Sequence, residues 1–415
     1  MKSLFLSATA AAVLLGSVSA QAQGVTLNVP SWMWEEGQVG EWFKRNTAEF
    51  ETASGNTVSG TQIPSADFEK VVVTQIAGGA VPDLMTAFTS MLPPMISAGT
   101  LAPLDQCIAE GGFGDRLLKS VEFAKVDGVT YGVPLTMSPW SVVVNRKLLA
   151  EAGIEEMPRT VEELYAASLA VKEKTGAYGY AFGNDMAAPL HVYINSMQWV
   201  LGFGSDWSQP DGTITANDPR NIEAIGWVKR FLDEGLAPIG LGVIQARDLF
   251  IDGKVAIMFE GPWLMTQVQG QKPEMMADID FEVVPTPTHA AVTGGAFFVI
   301  PAKAANPEQA CDLLTAYMNE NAQRRWLEDL LQIPGTTAEP SAEFLEQNAW
   351  VGNMATIAAQ YPGGIGYAPP GYLIDAGEFR QMVVDALSEI YSGRTSVEDG
   401  LNALQSKLEN WSATL

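Results

Sequence analysis

Residues 25–55 read VTLNVP (25–30), SWMWEEGQ (31–38) and VGEWFKRNTAEFETASG (39–55), and this stretch decides the fold. The first segment reads as a short strand and the second as a loop. The third carries apolar residues at helical spacing up to a stop at Gly55. Strand, loop and helix in that order open an α/β unit. The alternation continues with a strand in NTVSGTQI (56–63), a helix in DFEKVVVTQIAGG (67–79) stopped by two glycines, and a strand in DLMTAF (83–88). Repeated β-α-β order predicts parallel sheets with helices on both faces, and ligands bound in the loops that follow the carboxyl ends of the strands.

Further along, PRTVEELYAASLAVKEKTG (158–176) predicts a helix opened by a capping box of Thr160 and Glu163 and ended by Gly176. A second helix is expected from Pro219 to Gly235. A third is expected from Pro307 to about Leu331, with Asn306 as N-cap and Pro307 in the first helical position. The segment YPGGIGYAPPGY (361–372) reads either as a surface loop or as a binding loop whose tyrosines, Tyr372 among them, offer flat faces to a ligand.

The first 22 of the 415 residues, MKSLFLSATAAAVLLGSVSAQA, have one early positive charge, an apolar run too short to span a bilayer and an A-x-A ending. They predict a signal peptide cleaved near Ala22 and export to the periplasm. The first cysteine is Cys107, so nothing near the cleavage point can carry a lipid. With 24 Lys and Arg against 48 Asp and Glu, the formal net charge is -24, which disfavours nucleic acid and anionic membranes as partners. Cys107 and Cys311 are the two cysteines. They can be joined only if their α-carbons lie within ~7 Å, and two buried free thiols are the expectation, with a disulfide as the alternative.

Two histidines, His191 and His289, and the absence of H-E-x-x-H, G-x-S-x-G and P-loop patterns leave little for metal, triad or nucleotide chemistry, and neither metal nor cofactor is expected. The remaining enzymatic option is a glycoside hydrolase working with two cleft carboxylates. Of the 11 tryptophans, Trp32, Trp34, Trp140 and Trp263 fall on predicted loops, where an indole can stack on a sugar ring and donate its N–H.

Five stretches together resemble the sugar-binding branch of the bacterial extracellular solute-binding proteins, the group that includes the maltose-binding protein. They are AGGAVPDL (77–84), DGVTYGVPLT (127–136), VVNRKLLAEAGIEEMPRTVEEL (143–164), FIDGKVAIMFEGPW (250–263) and GGAFFVIPAKAANPEQA (294–310). The resemblance implies an α/β, two-lobed periplasmic binding protein (Venus flytrap) fold with three interlobe crossovers. It places an N-lobe at about 24–135 plus 291–338 and a C-lobe at about 136–290 plus 339–415. It further implies a monomer that captures a saccharide, sugar derivative or polyol by hinge closure and hands it to the permease subunits of an ABC transporter. A solute sensor for chemotaxis would close in the same way.

Carried over by position, the resemblance assigns ligand contacts to Ser31, Trp32, Trp34 and Glu35 in the first loop, and to Phe88, Thr89 and Ser90 after the third strand. Ser138 and Trp140 follow at the first crossover, Trp263 in the G-P-W motif, and Gly294 and Gly295 where a missing side chain admits backbone N–H groups. Asp185 and His191 lie on the stretch that lines the C-lobe pocket in relatives. The sequence departs from the maltose-binding pattern at Ser90, in place of an aspartate, and at Arg380, in place of an aromatic. The ligand is therefore expected to differ from maltodextrin. Arg380 either pairs with an anionic substituent of the sugar or forms a salt bridge with Glu378 or another acid.

Overall fold

The computed structural model describes residues 24–348, 350–352, 354 and 368–415. The expected signal peptide, and residues 361–367 of the Tyr-Gly-Pro segment, lie outside the described residues. The chain begins β1 (Thr26–Ser31), α1 (Gly37–Ser54), β2 (Thr57–Gln62), α2 (Ser65–Ala77), β3 (Met85–Phe88), α3 (Leu92–Ser97) and α4 (Asp105–Gly111). It continues through β4 (Lys125–Val126), β5 (Val129–Thr130), β6 (Val133–Pro139), β7 (Ser141–Asn145), α5 (Arg146–Glu151), α6 (Val161–Thr175) and β8 (Tyr178–Ala181). Then come α7 (Pro189–Gly202), α8 (Pro219–Asp233), α9 (Val243–Ile251), β9 (Val255–Glu260), α10 (Trp263–Gln271), β10 (Ile279–Glu282) and β11 (Thr293–Val299). After α11 (Pro307–Tyr317), α12 (Glu320–Leu330) and α13 (Ala342–Gln347), the helices Ala376–Tyr391 and Val397–Ser412 complete the described elements.

Two bodies of sheet result. One is built on β1–β2 and β3–β11–β6, the other on β10–β7–β9–β8. Each has its own apolar core. In the first, Trp42 of α1 meets Trp326 of α12 edge to face at 4.9 Å and donates its indole N–H to the Ala322 carbonyl. In the second, Tyr180, Trp199, Phe231 and Phe259 interlock, all buried. The chain passes between the bodies from β6 to β7 through Trp140, between β10 and β11, and after α12.

The expected all-parallel order fails. β1–β2 and β8–β9 are parallel, whereas β7 and β11 run antiparallel to their neighbours. Both of those strands enter straight from the other body, so no helical return sets their direction.

Local signals were reliable where the chemistry is local. Thr160 and Glu163 form a reciprocal capping box, and Gly176 ends α6 in the left-handed region at φ 75. The third predicted helix instead breaks at Met318, and the Asn319 side chain caps a new helix. Asn306 makes no side-chain cap, because its amide is drawn to Asp83. The expectation of free thiols is also overturned: Cys107 of α4 and Cys311 of α11 form a disulfide with α-carbons 5.7 Å apart. Two helices packed on one sheet bring together residues 204 positions apart.

Candidate functional site

A cavity of about 600 Å3 opens between the two bodies, at the carboxyl ends of β1, β3, β6 and β9. Trp32 follows β1 and stacks on Phe88, the last residue of β3, with centroids 4.0 Å apart and planes 18° apart. Phe68 of α2 buttresses Trp32 from the edge at 4.9 Å. Across the cavity, Trp140 meets Trp263 edge to face at 5.2 Å. Four aromatic side chains thus form two broad apolar walls.

The G-P-W motif has a structural cause. A Cβ on Gly261 would fall 2.1 Å from the Trp263 indole, so only glycine lets the ring fold back over the strand end. There Trp263 donates its indole N–H to Glu260, which also accepts from the Gly261 N–H and from Arg247 Nε at 2.8 Å. Glu260 is 1% exposed and Arg247 11%, so the pair is sealed on the protein side while Arg247 lines the cavity.

Facing it from the other body is Glu36. Its side chain keeps surface inside the cavity, yet protein surrounds it, and the resulting desolvation raises its carboxyl above the usual range against the opposing pull of Arg247. The first residues of α1, α2, α9 and α10 also line the cavity, and none of these helices has a side-chain N-cap. Of the helices that begin elsewhere, α5, α6, α8 and α12 are capped by Asn145, Thr160, Asp218 and Asn319, while α3, α4 and α11 also lack a side-chain cap. Helix-end N–H donors are therefore left facing the cavity, where ligand oxygens can accept from them.

Of the expected contacts, Trp32, Phe88, Trp140, His191, Trp263 and Gly295 line the cavity. Gly295 does so for another reason than ligand approach: its absent Cβ would sit 2.1 Å from the Thr136 carbonyl across the ladder. Gly294 pairs with Ser138 in the same ladder and does not line the cavity. Ser31 is turned into the core, where its hydroxyl accepts from Thr86 and from the Met33 N–H. Trp34 donates to the Val29 carbonyl and packs on Phe43. Glu35 points out to Lys44, which makes Glu36 the cleft carboxylate.

Thr89, Ser90 and Ser138 are buried behind the wall, Thr89 donating to the Gly295 carbonyl at 3.5 Å. Asp185 accepts from the Ala187 N–H in a local turn. Tyr372 donates to the Gly212 carbonyl and packs on Phe379 and Trp411. None of these lines either cavity. Arg380 lies in a neighbouring cavity of about 430 Å3 and pairs with Glu69 of α2 at 3.4 Å, while Glu378 accepts from Trp411. The salt-bridge alternative therefore holds, with an acid from the other body.

Sequence reading missed Glu36, Arg247 and Gln332. Glu36 was one residue away in the quoted loop, but nothing near Arg247 or Gln332 marks them.

Burial, with the Arg247 charge acting the same way, pulls the His191 imidazole down to about 4 from 6.5. Between those pH values the unfolded chain binds a proton that the folded chain refuses, so this contribution to stability falls as pH drops through the window. His191→Gln should lose less stability than wild type between pH 7 and 4.5, by ~2 kcal/mol, when urea unfolding is compared at the two pH values. Equal losses would show that the imidazole is not held neutral.

The model of the family described as bacterial extracellular solute-binding protein matches residues 34–324. A binding protein of Brucella abortus (strain 2308) is 25% identical over 392 residues, covering 92% of each chain. The diacetylchitobiose-binding protein of Streptomyces coelicolor is 24% identical over 358 residues, which is 84% of this chain and 80% of that one. A maltose-bound T. maritima protein superposes with a TM-score of 0.83 at 17% identity, over 94% of this chain and 100% of its own, which shows the same two-lobed fold.

Proposed function

Because the chain belongs to the bacterial extracellular solute-binding proteins, we propose that it captures a neutral saccharide or polyol between its lobes in the periplasm and passes it, as a monomer, to an ABC transporter permease without chemical change. The observation that carries this reading is the cavity itself: flat aromatic walls, with an acceptor at Glu36 on one lobe and a donor at Arg247 on the other. Sugar hydroxyls both donate and accept, so one neutral ligand can satisfy both lobes, and its contacts to both favour closure. Arg247 and Arg380 each have a carboxylate partner, which favours a neutral ligand over an anionic one.

We place the lobes at about 24–135 plus 291–338 and 136–290 plus 339–415; the two apolar cores follow this division except at its edges, where Met137 packs in the first core and Ala291 and Val292 in the second. Names of relatives point the same way for the ligand class: the Streptomyces protein binds diacetylchitobiose and the T. maritima structure holds maltose.

The test is thermal unfolding of the mature protein against monosaccharides, disaccharides, polyols, sugar acids and glycosides, followed by calorimetry. A ligand at 100 times its Kd adds about 2.7 kcal/mol of stability. Trp32→Ala should raise the Kd of the best compound by about thirtyfold, the loss expected of a central aromatic contact. No stabilisation by any member of the panel would sink the saccharide reading, and consumption of the bound compound would favour the carboxylate-pair hydrolase.

A further inference from the structure

The crossover after α12 carries a polar side chain that makes no hydrogen bond to the other described residues. Gln332 is 5% exposed and lines the main cavity, yet its amide makes no hydrogen bond among the described residues. The residue before it, Leu331, is 2% exposed and adopts the left-handed backbone at φ 57, which bulky side chains rarely accept. Strain of this kind persists only where neighbours enforce it.

The enforcing contacts are visible on both sides. On one, Thr266 of α10 donates its hydroxyl to the Leu330 carbonyl, and Leu331 packs in the apolar cluster of Leu264 and Met265. On the other, Thr136 of β6 donates to the Ile333 carbonyl at 2.6 Å, and the Gly335 N–H donates to the Leu135 carbonyl at 2.8 Å. The segment is thus pinned to an element of each lobe, and Thr136 and Thr266 both line the cavity. Gln332 stands midway between the two pins.

We propose that Gln332 is a specificity-determining contact, its amide hydrogen-bonding one hydroxyl of the ligand, and that Leu331 is the positioning residue whose backbone turns that amide into the cavity. The proposal rests on the saccharide reading above. The amide is reachable only through the cavity, and a ligand that displaces solvent there must replace its hydrogen bonds, so one that supplies a hydroxyl at this point is preferred over an analogue that lacks it. The contact is made on the crossover itself, so the occupied site also holds the pinned segment in its closed arrangement.

The probes are the tightest-binding saccharide of the panel and its monodeoxy analogues, titrated against wild type and Gln332→Met, which keeps the volume and removes the amide. The Kd of the parent sugar should rise about tenfold in the variant, with the melting temperature close to wild type. One monodeoxy analogue should bind both proteins equally, while the others show the full tenfold difference. Should Gln332→Met fail to fold, Gln332→Asn, which withdraws the amide by one methylene, takes its place in the same comparison. Unchanged affinity for the parent sugar, or an equal loss with every analogue, would overturn the proposal, the second because it marks a structural role. A wild-type protein that binds no saccharide fails earlier, in the screen, and overturns the reading beneath it.

Discussion

Replacing Cys107 and Cys311 together by alanine should lower the unfolding free energy by about 3–5 kcal/mol, because the bridge removes the closure entropy of a very long loop from the unfolded chain. The two residues are 204 positions apart, so the effect belongs at the upper end of that range. The bridge joins α4 to α11 on the flank of the first lobe, and neither cysteine lines a cavity. Ligand affinity at 25 °C should therefore stay as in wild type while the urea midpoint falls. Reduction of the wild-type protein should reproduce the loss, Cys107 being 7% exposed and opened only by partial unfolding. If the double variant unfolds at the same urea concentration as wild type, the unfolded ensemble is not loosened by losing the bridge, and the entropic account fails.

The second large effect concerns Glu260. Its carboxylate holds Arg247, the Gly261 N–H and the Trp263 indole, and it is buried to 1% exposure. Glu260→Ala leaves the guanidinium buried without its counter-charge, a change that costs about 3–5 kcal/mol. It also frees Trp263 and Arg247 from their positions, so binding should be lost together with stability. The double variant Glu260→Leu with Arg247→Met separates the two roles. It removes both charges and should recover most of the stability, because a buried pair replaced by apolar side chains is close to neutral, but it should not recover affinity. Thermal unfolding and calorimetry on the three proteins decide the matter. A fully stable Glu260→Ala would mean that water or a rearranged carboxylate reaches Arg247, and the site would have to be redrawn without a fixed donor.

What could be read in advance follows from the range of the interactions involved. The aromatic walls were legible in part: three of the four loop tryptophans line the cavity, Trp32 and Trp140 because they directly follow β1 and β6, and Trp263 because Gly261 lets its ring fold back over the end of β9. Trp34 stands as far past β1 as Trp263 does past β9, but its ring is turned under Gly60, against Phe43, instead of back over the strand end. Glu35 and Glu36 differ by one step in a loop, and a single step swings a side chain from solvent to cleft.

By itself the sequence determined the elements and their order, since capping boxes, glycine stops and apolar periodicity act over three or four residues and need nothing else from the chain. It also determined the kind of loop that carries the site. Only the tertiary structure decided which acid meets Arg380, that Cys107 reaches Cys311, and that Gln332 stands in the cleft. Each of these depends on two segments brought together across the sheets or between the lobes, and the energy of such a contact exists only once both sides have been placed.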